Sequence, residues 1–72
     1  MSDKENEFLS RFAHNLARLM EARDRSAVAV AEASGLKRAR IERLLLAEVE
    51  PGAIEVMRLA KALDVTPGDL ID

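Results

Sequence analysis

Cysteine is absent from the 72 residues of the chain, which rules out a disulfide framework and any thiolate metal site and suits a reducing cytoplasm. Aromatic side chains are limited to two phenylalanines, with no tryptophan or tyrosine. The single histidine, His14, falls between Phe12 and Leu16 but off their stripe, and no Asp or Glu stands at a spacing that would partner it. It reads as a surface residue, and no catalytic residue is expected. Glu48 and Glu50 read as ordinary loop charges, because a carboxylate metal site without His or Cys needs denser acidic spacing. No metal or cofactor is therefore anticipated. Long apolar runs are lacking too. The longest, Ala27 to Ala31 and Leu44 to Ala47, fall far short of the roughly 20 residues that span a bilayer. The opening "MSDKENEFLS" has no signal-peptide core, so a cytoplasmic protein that neither crosses nor anchors in a membrane is expected. Period-two alternation is missing as well, which predicts no strand.

What is present points to a small helical globule. Hydrophobic residues make up 49% of the chain and charged residues 33%, a balance that folds rather than remaining disordered. A domain this short buries only about 60% of the surface its unfolded chain exposes, so each apolar position counts. The net charge is −2, which alone argues mildly against a nucleic-acid partner. Its distribution argues the other way. Between Leu36 and Leu46, Lys37, Arg38, Arg40 and Arg43 stand against Glu42, an excess of +3 that leaves −5 for the remainder. Such segregation sets a positive field on one face of an otherwise acidic body.

Apolar periodicity and capping residues predict five helices. Phe8, Leu9, Phe12, Ala13, Leu16, Leu19 and Met20 recur at three- and four-residue intervals and predict a first helix over residues 7–23, preceded by a flexible segment 1–6. Ser26 is placed to cap a second helix over 27–34, and Gly35 to stop it with a positive φ. A third helix over 38–47 turns Ile41, Leu44 and Leu45 inward and Arg38, Ala39, Glu42 and Arg43 outward. "EVEPG" breaks it. A fourth over 53–63 carries Val56, Leu59, Ala60 and Leu63 on one face. Thr66, Pro67 and Asp69 then supply an N-cap, a first-turn proline and an acidic first turn for a fifth helix over 67–71. Residues 7–72 make a single domain.

Two short helices joined by a glycine turn cross steeply only if a small residue lies where their axes approach, and Ala31 occupies that place. Val30, Ala31, Gly35, Leu36, Ile41 and Leu44 form the expected core of the pair, leaving the far side of the third helix basic. At this point "SAVAVAEASGLKRARIERL" resembles the helix-turn-helix of the phage repressor and Cro family (lambda repressor-like, XRE-type), with Ala31, Gly35 and Ile41 at its small, glycine and branched positions. Downstream, "PGAIEVMRLAKALDVTPGDLI" is similar to the family's closing block. The likeness runs from about Phe8 to Ile71.

The resemblance implies an all-α, compact five-helix domain that binds double-stranded DNA as a transcription regulator, bacterial or phage-encoded and associated with the nucleoid. Arg38, Ala39 and Arg43 match its base-reading positions; Ser26, Lys37 and Arg40 match or adjoin those that contact the DNA backbone. The turn that carries Leu46, Val49, Ile54 and Met57 corresponds to a homodimer contact, which implies a palindromic site. The chain ends after the fifth helix, so no ligand-sensing second domain is expected. The departures are specific. Ala27 replaces a bracing Gln, and Lys37 occupies an N-cap it cannot fill as an acceptor. Ser34 replaces a buried aliphatic, which is tolerable if its hydroxyl bonds back to the preceding turn. Ala47 stands where a helix-ending glycine is common, so the third helix is expected to run on. Met20 and Leu45 occupy the places of a buried Arg and Glu found in many members, and are expected to touch in place of that ion pair. The other reading is a protein-interaction module, antitoxin-like or a phage accessory protein, with the basic helix vestigial.

Overall fold

The computed structural model describes residues 3–72 as five helices: α1 (Asp3–Ala22), α2 (Ala27–Ser34), α3 (Arg38–Leu45), α4 (Ala53–Ala62) and α5 (Pro67–Ile71). No strand occurs among the described residues. Helix α1 starts ahead of the predicted Glu7, so of the segment 1–6 expected to be flexible, residues 3–6 are helical; residues 1 and 2 lie outside the described residues. The cause is that extending a nucleated helix requires no further apolar face, and Glu5 and Glu7 favour its positive end.

Caps fix where α2 and α5 begin. The Ser26 hydroxyl accepts from the Ala29 amide at 3.1 Å. Thr66 accepts from the Asp69 amide at 3.2 Å, and the Asp69 carboxylate accepts from the Thr66 amide at 3.0 Å. That reciprocal box, chiefly through the Thr66 amide, holds the Asp69 carboxyl below its usual range. Three helices end in the same way without glycine. Asp24, Ala47 and Asp64 take left-handed φ values of 52°, 59° and 56°. In each case the next amide reaches back to a carbonyl near the helix end: Arg25 to Met20 at 2.8 Å, Glu48 to Arg43 at 3.1 Å and Val65 to Ala60 at 2.9 Å. These are Schellman closures, which satisfy carbonyls that would otherwise be orphaned.

Helix α1 packs on α3 and α5, α2 on α3 and α4, and α4 on α5. Fully buried Phe12, Leu16, Val30, Ile41, Leu44, Leu59, Leu63 and Leu70 bring all five helical regions into one core. Phe8 and Leu9, at the start of the α1 stripe, are half-buried. Met20 is buried and Leu45 is half-buried against the same cluster, so hydrocarbon occupies both sites of the family's ion pair. Removing one partner of such a pair would strand a buried charge at about 3–5 kcal/mol, whereas exchanging both is often neutral. Buried Asn15 was not anticipated. Its side-chain amide donates to the Leu70 carbonyl at 2.9 Å and fastens α5 to α1. Arg11 adds a bond from Nε to the Ile71 carbonyl at 3.2 Å.

Candidate nucleic-acid interface

The α2–α3 pair is built by small residues and one left-handed turn. Val30 is fully buried and Ala31 half-buried, so α2 presents little bulk towards its neighbour. Gly35 has φ 76° and its amide donates to the Ala31 carbonyl at 2.9 Å. Ser34 is buried, and its hydroxyl does bond back one turn, donating to the Ala31 carbonyl at 3.5 Å while accepting from the Leu36 amide at 3.2 Å. One small polar residue thus closes the turn from both sides. Leu36, expected in the core, is only half-buried at the edge of the cluster. Ile41 and Leu44 anchor α3 from below.

Lys37 is the N-cap of α3 and makes no side-chain cap bond. Lys37, Arg38, Ala39, Glu42 and Arg43 are all exposed. Arg38 Nε lies 3.6 Å from Glu42 Oε2, one turn on, with both side chains more than half exposed; such a pair contributes a few tenths of a kcal/mol and is easily exchanged. Ser26, at the start of α2, is exposed as well.

Arg40 behaves differently from its basic neighbours. Its Nε donates to Glu55 Oε2 at 2.8 Å and its Nη2 to Glu55 Oε1 at 2.9 Å, with a further bond from Nη2 to the Glu50 carbonyl at 2.9 Å. Glu55 Oε1 also accepts from the Gly52 amide at 2.8 Å. The guanidinium is thereby held by the protein's own acid, in the two-pronged geometry its plane favours. The hydrogen bond from Arg40, with help from the Gly52 amide and the Arg40 charge, holds the Glu55 carboxyl below its usual range despite partial burial. Glu55 in turn raises the pKa of Arg40. Sequence reading missed this pair because fifteen residues separate its members. The available signal was Glu55 itself, three residues after the N-cap Gly52, where an acid commonly reaches back to the cap amide.

One further expectation is corrected nearby. Helix α3 stops at Leu45 and does not run to Ala47, because Ala47 adopts the glycine-like conformation at φ 59° that closes the helix. Of the four turn residues assigned to a dimer contact, Leu46, Ile54 and Met57 are exposed at 67%, 62% and 59%, whereas Val49 is half-buried against the core. Val28, on α2, is also exposed.

Residues 15–72 match the Cro/C1-type HTH DNA-binding domain. Among solved structures, the chain is similar to the restriction-modification controller protein C.AhdI from Aeromonas hydrophila, at 29% identity and a TM-score of 0.83, over 86% of this chain and 94% of that one. No curated protein matches at a significant level. No helix among the described residues is long and apolar enough to cross a membrane. With its glycine turn, buried α2–α3 seam and basic outer helix, the chain belongs to the Cro/C1-type helix-turn-helix family of DNA-binding regulators.

Proposed function

We propose that the protein regulates transcription by reading a specific double-stranded DNA sequence, with α3 in the major groove and two copies of the chain on a palindromic site. The observation that carries the reading is the exposure of Arg38, Ala39 and Arg43 on one side of a helix whose opposite side is anchored by Ile41 and Leu44. An arginine fork donates two hydrogen bonds to O6 and N7 of guanine, worth about 1–3 kcal/mol of discrimination, and an alanine methyl packs on a thymine methyl. Arg38 and Arg43 would take the first role and Ala39 the second. Lys37 and Ser26 would meet phosphates, which supply affinity without sequence information. The uncapped N-terminus of α3 suits an anion there. Likeness to a restriction-modification controller supports the regulator's role, and such a protein would work in the cytoplasm at the nucleoid.

The exposed Leu46, Ile54 and Met57 support a twofold contact between copies, which would set two α3 helices about 34 Å apart along the DNA. The same patch also supports the second reading, a module that binds another protein. Selection of bound duplexes from a random DNA pool separates the two: a palindrome containing guanine in each half is expected. No enrichment at low salt would leave only the protein-binding reading. The slope of affinity against salt adds a second measure, since each phosphate neutralised contributes about −0.9 and a protein partner releases no such counterions.

A further inference from the structure

Helix α3 packs against α1 and α2, and the side chain of the half-buried Arg40 ties it to the start of α4. That guanidinium joins three parts of the chain: α3, the Glu50 carbonyl in the following turn, and Glu55 in the first turn of α4. Glu55 closes the network by accepting from the Gly52 amide. Two parallel bonds from a planar group fix rotation as well as distance, so the network resists both a roll of α3 about its axis and a swing of its end. We propose that Arg40 is a positioning residue for sequence reading, holding α3 at the rotation from which Arg38 and Arg43 reach base edges, rather than a phosphate contact. The inference rests on the DNA-reading function above and deepens it by naming what sets its specificity.

Base readout and phosphate attraction respond differently to a loosened helix. A bidentate contact to guanine tolerates displacements of only about half an ångström, whereas the attraction of Lys37 to a phosphate falls off gently with distance. Loss of the Arg40–Glu55 network should therefore lower the preference for a cognate over a mismatched duplex and leave the salt dependence alone. A lost phosphate contact does the reverse.

The test uses the whole chain with a duplex selected from the random pool and a second duplex altered at the guanine that Arg43→Ala identifies. Arg40→Met and Glu55→Gln should each reduce the cognate-to-mismatch ratio about tenfold, within what one bidentate base contact contributes. The slope of affinity against salt should stay at the wild-type value, and the double variant should be no worse than either single one. Arg40→Lys keeps the charge but cannot form both parallel bonds, and should stay impaired; should Arg40→Met not fold, Arg40→Lys and Glu55→Gln suffice. A salt slope shallower by about 0.9 in Arg40→Met with base preference retained would overturn the proposal in favour of a phosphate contact. Unchanged base preference in Glu55→Gln would overturn it too. A wild-type protein that selects no duplex refutes the DNA-reading function itself, an outcome distinct from both.

Discussion

Arg38 and Arg43 differ from Lys37 in what their removal should do. Arg38→Ala and Arg43→Ala are expected to relax base preference at separate positions of the selected site, each by about 1–3 kcal/mol, while Lys37→Ala weakens all duplexes alike and lowers the salt slope by about one ion. Quantitative binding to single-base variants of the site checks both; equal loss of specificity in Lys37→Ala would show the roles to be wrongly assigned. The exposure of Arg38, Ala39 and Arg43 was legible from the sequence, because Ile41 and Leu44 must point inward and helical geometry then turns positions 38, 39 and 43 outward. The fate of Arg40 was not. Periodicity places a residue on a face but says nothing of which distant acid folds over it, and Glu55 approaches from another helix. Ala47 marks a second limit. Its place in the chain matched a helix stop, yet its identity argued for continuation, and the Schellman bonds prevailed over residue preference. Left-handed backbone costs a non-glycine residue about 1–2 kcal/mol, partly offset by the greater chain entropy a glycine would lose on folding. Ala47→Gly is accordingly expected to stabilise the protein by about 1 kcal/mol in urea unfolding.

Among the elements, α2 and α5 were legible to the residue, since Ser26, Gly35, Thr66 and Pro67 each supply a cap or a stop whose chemistry is local. The end of α3 and the start of α1 were not, because one depends on a turn closed by backbone bonds and the other on polar residues with no periodic signal. Asn15 was also missed: a polar residue within an apolar stripe reveals its purpose only when α5 returns over it. Asn15→Ala would leave the buried Leu70 carbonyl without its partner and is expected to destabilise the fold by about 1–3 kcal/mol. Amide exchange offers the more local check. The α5 amides should exchange faster in the variant while those of α2 and α3 keep their protection relative to global unfolding.

Over the whole molecule, fold and interface respond to separate variables. Glu55 and Asp69 both titrate below their ordinary values, chiefly through the bond from Arg40 in one case and the Thr66 amide in the other. A carboxyl so depressed contributes its full stability above its unfolded value and loses it as pH falls through the folded one. Thermal stability should thus decline as pH drops below about 4.5, the ordinary value for Glu55, and Glu55→Gln should flatten part of that decline. The proposed twofold contact through the apolar patch would answer to concentration instead. If two copies meet there, Leu46→Glu combined with Ile54→Glu should leave the helical circular dichroism intact, lower the association seen for the wild type by sedimentation, and weaken binding to the full selected site; a wild type that stays monomeric at all concentrations would overturn the contact.

The three helix ends held left-handed without glycine have a bearing on lifetime. Strain at Ala47, and less of it at Asp24 and Asp64 because aspartate tolerates this conformation better, raises the free energy of the native state and enlarges the fraction of molecules open to proteases at any moment. Glycine at all three positions should lengthen the half-life of the protein against a protease, with the exposed side chains of α3 unchanged.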